Sequence, residues 1–168
     1  MAGIAINVRI EGLAPLLKKL DDPRILELAQ QHMLKACIFV RDDAAVRAPV
    51  DTGWLRSSLT FGLGKEMHGI TGVVGSPVQY APHMEYGTGR LTDYPGGGKG
   101  YHNPPGAALD VWASRHGFAS GAIVARIIAK RGGLRPRRFL RDAFAAKTDA
   151  IKEEMGKLLD DVIEVLKK

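Results

Sequence analysis

Cysteine is nearly absent from this chain of 168 residues, which contains only Cys37. A single thiol excludes a disulfide within the chain and a metal site built from several cysteines of one chain, and it suits a reducing cytoplasm. Cys37 stands among the apolar residues Ala36, Ile38, Phe39 and Val40. We therefore predict a small buried side chain rather than a reactive nucleophile.

The sequence also lacks long apolar runs. No uncharged apolar stretch approaches the length of a membrane span, and the N-terminus lacks the basic segment and apolar run of a signal peptide. The composition, 45% hydrophobic and 25% charged, is ordinary for a soluble globular protein. The length predicts a single domain over residues 1–168, with room for an insertion.

The motifs of common enzyme chemistry are missing as well. The glycine-rich run 96–100 has no Ser or Thr after Lys99, so it is not a P-loop. The five histidines never take a metal-ligand spacing, and Ser57 and Ser58 lack a nucleophile elbow. We expect a protein that is not an enzyme, with no catalytic residue, no metal, no cofactor, no small-molecule substrate and no membrane partner.

Acidic residues are missing throughout residues 115–141, a stretch rich in arginine and lysine. The whole chain has a net charge of +6. Such clustering permits binding to an acidic protein or to nucleic acid, and a solvated basic surface would produce it too. The candidate residues for an interface or a DNA-facing surface are Arg126, Lys130, Arg131, Arg135, Arg137, Arg138 and Arg141.

Apolar spacing predicts a strand and two helices in the first third of the chain. Alternation over residues 4–10 predicts a strand with one buried face, and leucines at helical spacing predict a short helix over residues 13–20. Asp22 and Pro23 favour the start of a long amphipathic helix that ends near Arg47. Its buried stripe is predicted to contain Leu26, Ala29, Met33, Ala36, Cys37, Val40 and Ala44.

The stretch 48–58 is predicted to lead the chain from this helix into a sheet. Pro49 ends the helix, and the residues that follow it, Asp51 to Gly53, suit a turn. Leu55, Leu59, Phe61 and Leu63 lie on one parity, which predicts a strand over residues 55–63.

A hairpin over residues 64–69 is predicted to join this strand to a second one over residues 70–75. The segment 78–86 has the same period with Pro82 inside it. This pattern predicts an edge strand, or a strand that breaks into a turn.

The rest of the chain is predicted to contain a loop and three helices. Glycine and proline enrichment over residues 87–106 predicts a mobile loop. Helices are predicted over residues 105–116 and 120–131, and a last one from about residue 138 to near the end, roughly 40 Å long. Residues 89–134 would thus form a mobile Gly/Pro-rich loop plus a helical insertion.

Three stretches follow one another in a fixed order. They are Ala48-Pro49-Val50-Asp51-Thr52-Gly53-Trp54-Leu55-Arg56-Ser57-Ser58, then Tyr80-Ala81-Pro82-His83-Met84-Glu85-Tyr86-Gly87-Thr88, then Arg135-Pro136-Arg137-Arg138-Phe139-Leu140-Arg141-Asp142-Ala143. In this order they resemble the tail-completion or head–tail joining family of long-tailed bacteriophages, whose members are often labelled minor tail components. The resemblance spans nearly the whole chain, although the third stretch is more basic than the family pattern at Arg137 and Arg138.

This resemblance implies an α+β fold. A small, mostly antiparallel sheet would pack against a long helix from the N-terminal half and a long C-terminal helix, with a helical insertion. It further implies a structural virion protein of the phage neck, made in the bacterial host cytoplasm. Family members form a homo-oligomeric ring, commonly of about six subunits. The implied partners are head connector or adaptor proteins on one face and the tail terminator or tail tube on the other, with DNA passing through the bore without sequence specificity.

The resemblance also marks a set of architectural residues. We further expect the Glu85 carboxylate to pair with Arg56 or Arg138. The marked residues are Pro49, Asp51, Thr52, Gly53, Leu55, Arg56, Ser58, Tyr80, Ala81, Glu85, Gly87, Thr88, Pro136, Phe139 and Leu140.

Two other functions fit the sequence. One is the tail terminator, another ring protein of the same neck, which would be distinguished by whether the protein binds isolated tails or filled heads. The other is a basic nucleic-acid-binding module, which would show sub-micromolar affinity with a steep dependence on salt.

Overall fold

The computed structural model describes residues 4–9, 23–66, 69–95, 100 and 102–167. The chain divides into two compact units, a first unit of Met1–Ala81 with Phe139–Lys168 and a second unit of Pro82–Arg138. The single domain predicted over residues 1–168 and the mobility predicted for residues 89–134 stay predictions. The helix predicted over residues 13–20, and residues 67 and 68 of the predicted hairpin, lie outside the described residues.

The first unit contains a three-stranded antiparallel sheet. Its strands are β1 (Ile4–Arg9), β2 (Thr60–Glu66) and β3 (Gly69–Ser76). β3 lies in the centre, and its residue Val74 is paired with Ile6 of β1 and Phe61 of β2. The strand predicted over residues 70–75 is confirmed, and so is the antiparallel sheet. The strand predicted over residues 4–10 is confirmed over Ile4–Arg9, and residue 10 lies outside the described residues.

Helix α1 (Pro23–Arg47) packs against this sheet. Gly72 permits the close approach, because a Cβ at that position would lie 2.9 Å from the Met33 sulfur and would also meet the Cys37 sulfur. The predicted buried stripe of α1 is confirmed except at Leu26, which is half-buried. The buried residues of α1 are Ile25, Ala29, His32, Met33, Ala36, Cys37, Val40 and Ala44.

Helix α6 (Phe139–Leu166) packs against α1. It has 28 residues, so at about 1.5 Å per residue it is roughly 40 Å long, as the sequence predicts. The α+β architecture with two long helices and a small sheet is therefore confirmed. The buried residues of α6 are Phe139, Leu140, Ala143, Ile151, Glu154, Leu158 and Val162.

The strand predicted over residues 55–63 is wrong at its start. Trp54–Ser57 forms a one-turn helix, α2, and β2 begins only at Thr60. Leu55 and Leu59 are both buried, and a spacing of four residues satisfies one face of a helix as well as it satisfies period two. Because Leu55 has the same parity as the alternating residues of β2, the sequence pattern predicted a strand where the chain forms a helical turn.

The edge strand predicted over residues 78–86 is wrong too, since Ala81–Tyr86 forms a helix, α3. Its Ala81 and Glu85 are buried and stand four residues apart, which is helical spacing. Pro82 lies in the first turn of α3, where the missing N–H breaks no hydrogen bond within the helix. Proline therefore starts a helix here instead of interrupting a strand.

The second unit has its own small core. It contains 3₁₀ turns at Gly89–Leu91 and Gly106–Leu109, followed by α4 (Asp110–Arg115) and α5 (Gly121–Lys130). These elements confirm the two predicted insertion helices. Asp110 fixes the start of α5 by accepting a hydrogen bond from the Gly121 backbone N–H at 2.7 Å. The core side chains are Ala113, Val124 and Ile128, with Leu109, Trp112 and Leu134 packed against them.

Candidate functional site

Residues 48–58, here called the corner, follow α1 and are held by local backbone hydrogen bonds. Ala48 still donates to the Ala44 carbonyl at 2.8 Å, and Pro49 follows at once. Gly53 then takes φ 82°, a left-handed conformation that glycine adopts without penalty, and its carbonyl accepts from the Ser57 N–H at 2.9 Å. The side chain of Thr52 accepts from the Trp54 N–H at 3.4 Å. The corner thus turns the end of α1 directly into α2.

The corner is also tied to the sheet, while Arg56 on α2 points to solvent. The Ser58 hydroxyl lies 2.8 Å from the Ser76 hydroxyl at the end of β3 and donates to the Leu55 carbonyl. Leu55 and Leu59 are buried beneath it. Ser58 therefore links α2 to the central strand.

Large apolar side chains are exposed at the end of α1, in the corner and at Tyr80. Val46, Val50 and Trp54 are exposed by 77%, 57% and 63%, and Tyr80 by 42%. Burying these apolar side chains against another molecule would be favourable, because it would remove apolar surface from water. Exposed apolar groups of this kind are typical of surfaces that contact another protein.

The second and third stretches come together inside the second unit. The Thr88 N–H donates to the Leu134 carbonyl, and the Leu134 N–H donates back to the Thr88 hydroxyl, each at 3.0 Å. The Arg137 N–H donates to the Met84 carbonyl at 2.7 Å, and the Arg138 N–H to the Glu85 carbonyl at 3.1 Å. These four bonds align residues 84–88 with residues 134–138, two segments that the sequence places almost 50 residues apart.

Gly87 lies where the backbones of these two segments approach each other closely. Its φ is 69°, and a Cβ there would lie 2.5 Å from the Leu134 carbonyl oxygen and 2.8 Å from the Pro136 nitrogen. Both neighbours are backbone atoms, which cannot move aside as a flexible side chain can.

We expect Gly87→Ala to lower the free energy of unfolding by about 3 kcal/mol, because left-handed strain and backbone overlap add. Urea unfolding measures the change. The control is Gly156→Ala on α6, where a Cβ meets nothing within 4 Å and should stabilise the helix by about 0.5–1 kcal/mol. Equal effects at the two glycines would refute the close approach at Gly87.

Glu85 and Arg138 have different side-chain surroundings. Glu85 is buried, whereas Arg138 is exposed and its Nε donates to the Asp93 carboxylate at 2.7 Å. Arg138 has φ 52°, which is rare for a residue other than glycine. The pairing predicted between Glu85 and Arg56 or Arg138 stays a prediction. Phe139 and Leu140, directly after Arg138, are fully buried at the start of α6.

The predicted basic residues are all exposed. Arg126 and Lys130 lie one turn apart on α5, and Arg131, Arg135 and Arg137 follow in the segment that leads out of the helix. Arg141 is exposed on the first turn of α6, in the first unit. Their role as an interface or a DNA-facing surface stays a prediction.

A buried polar network between α1 and α6 was missed by the sequence analysis. His32 is buried, its Nδ1 lies 2.8 Å from Glu154 Oε1, and its Nε2 lies 2.9 Å from Asp161 Oδ2. Lys35 Nζ lies 3.0 Å from the same Glu154 oxygen. The available signal was the position of His32, three residues after Ala29 on the buried stripe of α1. Glu154 likewise lies three residues after Ile151 on α6.

This network determines how Glu154 titrates. Burial alone would raise the pKa of the Glu154 carboxyl, but Lys35 and His32 together lower it below the ordinary glutamate value. A carboxyl whose pKa is lower in the folded state stabilises the protein above its unfolded pKa, and this contribution is lost as the pH falls through the folded pKa.

We therefore expect the stability advantage of the wild type over Glu154→Gln to shrink from about pH 5 downwards. Urea unfolding of both proteins at pH 7, 5, 4 and 3 measures it. Asp149→Asn, which removes an exposed carboxylate from the same helix, provides the control. A wild-type advantage that grows towards acid pH would contradict the lowered pKa.

No group of three or more His, Cys, Asp or Glu side chains within the described ranges could hold a metal ion. Among the described helices, none is long and apolar enough to cross a membrane.

Comparison with known proteins gives one finding about identity. A family model described as "Bacteriophage HK97-gp10, putative tail-component" matches residues 11–87, just under half of the chain. This range contains the whole corner and the second stretch up to Gly87, and it ends before the third stretch. No curated protein and no solved structure matches the chain. The predicted resemblance to phage tail components is therefore confirmed over residues 11–87.

Proposed function

From the likeness of residues 11–87 to the HK97-gp10-like family, we propose that this chain is a non-enzymatic structural protein that completes a phage tail at its neck. The family match supports the coarser role, a tail component that belongs to the virion and contacts other head or tail proteins. In the finer role that we propose, the protein joins the tail to the head. It would form a homo-oligomeric ring of about six subunits between the head connector and the tail terminator or tube, with DNA passing through the bore.

The exposed apolar corner supports an assembled state. Val46, Val50 and Trp54 lie within nine residues and are all more than half exposed. Tryptophan is enriched among the residues that carry most of the free energy of protein association. A ring also requires each subunit to present two different surfaces, one to each neighbour.

A second exposed apolar surface lies on α6. Leu159, Ile163 and Leu166 are exposed by about half and follow one another at a spacing of three or four residues, so they share a helix face. The corner and this helix face are the two surfaces through which we expect a subunit to contact its ring neighbours.

The test of this function is a phage that lacks the gene. Negative-stain imaging of its lysate should show heads filled with DNA beside separate tails of normal length. Purified protein added to that lysate should restore joined, infectious particles. Normal joined particles in the absence of the protein would exclude the proposed role.

The same lysate distinguishes the tail terminator. A terminator caps the tail, so its absence would give tails of abnormal length, and the added protein would bind isolated tails rather than filled heads. A basic nucleic-acid-binding module without a place in the virion would leave both heads and tails unchanged.

A further inference from the structure

The net charge of this protein lies entirely in the second unit. Residues 82–138 contain nine Lys or Arg and three Asp or Glu, which gives the segment a net charge of +6. The whole chain, with 24 basic and 18 acidic residues, also has a net charge of +6. Residues 1–81 and 139–168 are therefore neutral as a set, and the excess positive charge is confined to about a third of the sequence.

The two units also differ in how their cations are neutralised. In the first unit, basic side chains form ion pairs with acids of the same unit, for example Lys35 with Glu154, Lys152 with Asp149 and Lys167 with Glu164. In the second unit, the three acidic side chains are buried or bonded elsewhere, so they do not pair with the basic residues 126–137. Glu85 is buried, Asp93 accepts from Arg138, and Asp110 accepts from the start of α5.

Five cations between residues 126 and 137 consequently have no ion pair within the described part of the chain. We name them the basic surface, and they are Arg126, Lys130, Arg131, Arg135 and Arg137. Arg126 and Lys130 stand four residues apart on α5, a spacing at which like charges repel and destabilise a helix. A bound polyanion would remove that repulsion.

The composition of the basic surface favours phosphate over protein as its ligand. Between residues 130 and 137, the exposed residues are Lys130, Arg131, Arg135 and Arg137, so every exposed side chain is cationic. Protein interfaces have apolar and aromatic centres depleted of charge, which this segment does not offer. Arginine, which supplies four of the five cations, can donate two parallel hydrogen bonds to one phosphate.

We propose that the basic surface binds the phosphate backbone of duplex DNA without sequence specificity. This inference rests on the proposed function, since a neck protein surrounds the path along which the genome leaves the head. The residues of the basic surface would be those that contact this DNA. Contact with phosphates alone lets a duplex slide past, because no base is read.

The test is fluorescence anisotropy of a labelled 20-base-pair duplex titrated with the purified full-length protein at 50–200 mM salt. If all five cations meet phosphates, a fourfold increase in salt should weaken binding by about 500-fold, from a slope of about −0.9 per phosphate. Two duplexes of unrelated sequence should bind alike. The double variant Arg126→Gln with Lys130→Gln loses two contacts, so its salt effect should fall by about tenfold.

A matched control separates the basic surface from net charge. Lys152→Gln with Lys167→Gln removes the same two charges from exposed positions of α6 in the first unit, and it should leave both the affinity and the salt slope unchanged. Equal weakening by the two double variants would overturn the proposal. So would an anisotropy that stays flat to 100 µM protein at 50 mM salt.

A third titration identifies an acidic protein partner. Binding of labelled poly-glutamate with no binding of the duplex would overturn the DNA proposal in favour of such a partner. These measurements use the isolated protein, so their failure is distinct from failure of the neck role, which the phage lacking the gene tests by itself. Circular dichroism of each variant verifies that the replaced side chains, all exposed, leave the fold intact.

Discussion

Replacing Phe139 with alanine is expected to lower the free energy of unfolding by about 3–5 kcal/mol. Phe139 is the largest of the fully buried side chains and lies at the first position of α6, directly after the left-handed Arg138. Alanine would remove the ring from a close-packed interior and leave a cavity in its place. Urea or thermal unfolding of the purified variant measures the loss.

Phe144→Ala is the control for this prediction. Phe144 lies on the same helix but is half-buried, so the same substitution should cost clearly less. Phe139→Leu, which keeps most of the apolar volume, should recover more than half of the loss. If Phe139→Ala lowered the free energy of unfolding no more than Phe144→Ala does, the burial of Phe139 would not stabilise the start of α6 as proposed.

Removing one partner of the buried pair His32 and Glu154 should have an effect of similar size. Glu154→Leu leaves the His32 Nδ1 buried opposite an apolar group, and His32→Leu leaves the carboxylate with Lys35 and, at 3.7 Å, Lys157. Each single change should cost about 3 kcal/mol, since each leaves a buried polar or charged group without one of its partners. The double variant, with both groups replaced by leucine, should cost no more than the larger single change.

The double-mutant cycle from urea unfolding gives the coupling between the two side chains, expected to be at least 2 kcal/mol in size. The exposed pair Lys152 and Asp149 on α6 provides the comparison, with an expected coupling under about 0.5 kcal/mol. Additive costs for the His32 and Glu154 changes would mean that the two groups do not act as a pair in the folded protein.

The long elements could be predicted because their apolar residues recur over many turns. In α1, Ala29, Met33, Ala36 and Val40 repeat at helical spacing, and no strand pattern satisfies them. The short elements could not be predicted in the same way. A spacing of four residues, as between Leu55 and Leu59 or between Ala81 and Glu85, fits either a helical turn or a strand. The choice between them is made by the turn at Gly53 and by Pro82 at a helix start.

Many residues of the candidate site could be predicted from the sequence, but the contacts between them could not. The sequence marked Thr88 and Pro136, yet only the fold shows that residues 84–88 are hydrogen-bonded to residues 134–138, because the intervening insertion hides their proximity. His32 and Glu154 are 122 residues apart in the sequence, and the residues around each of them do not indicate that the two side chains are in contact. The basic residues were found because charge clustering is visible in the sequence itself.

The thiol of Cys37, which lies where Gly72 packs against α1, can be used to measure how often α1 separates from the sheet. Cys37, the only thiol in the chain, is fully buried there, and burial raises its pKa, so little of the reactive thiolate forms. A thiol reagent can therefore modify the native protein only when α1 separates from the sheet. The labelling rate in a plain buffer measures how often that happens, and because the chain has no second cysteine the signal has one origin. Comparing free subunits with virions would then tell whether assembly tightens the α1–sheet packing.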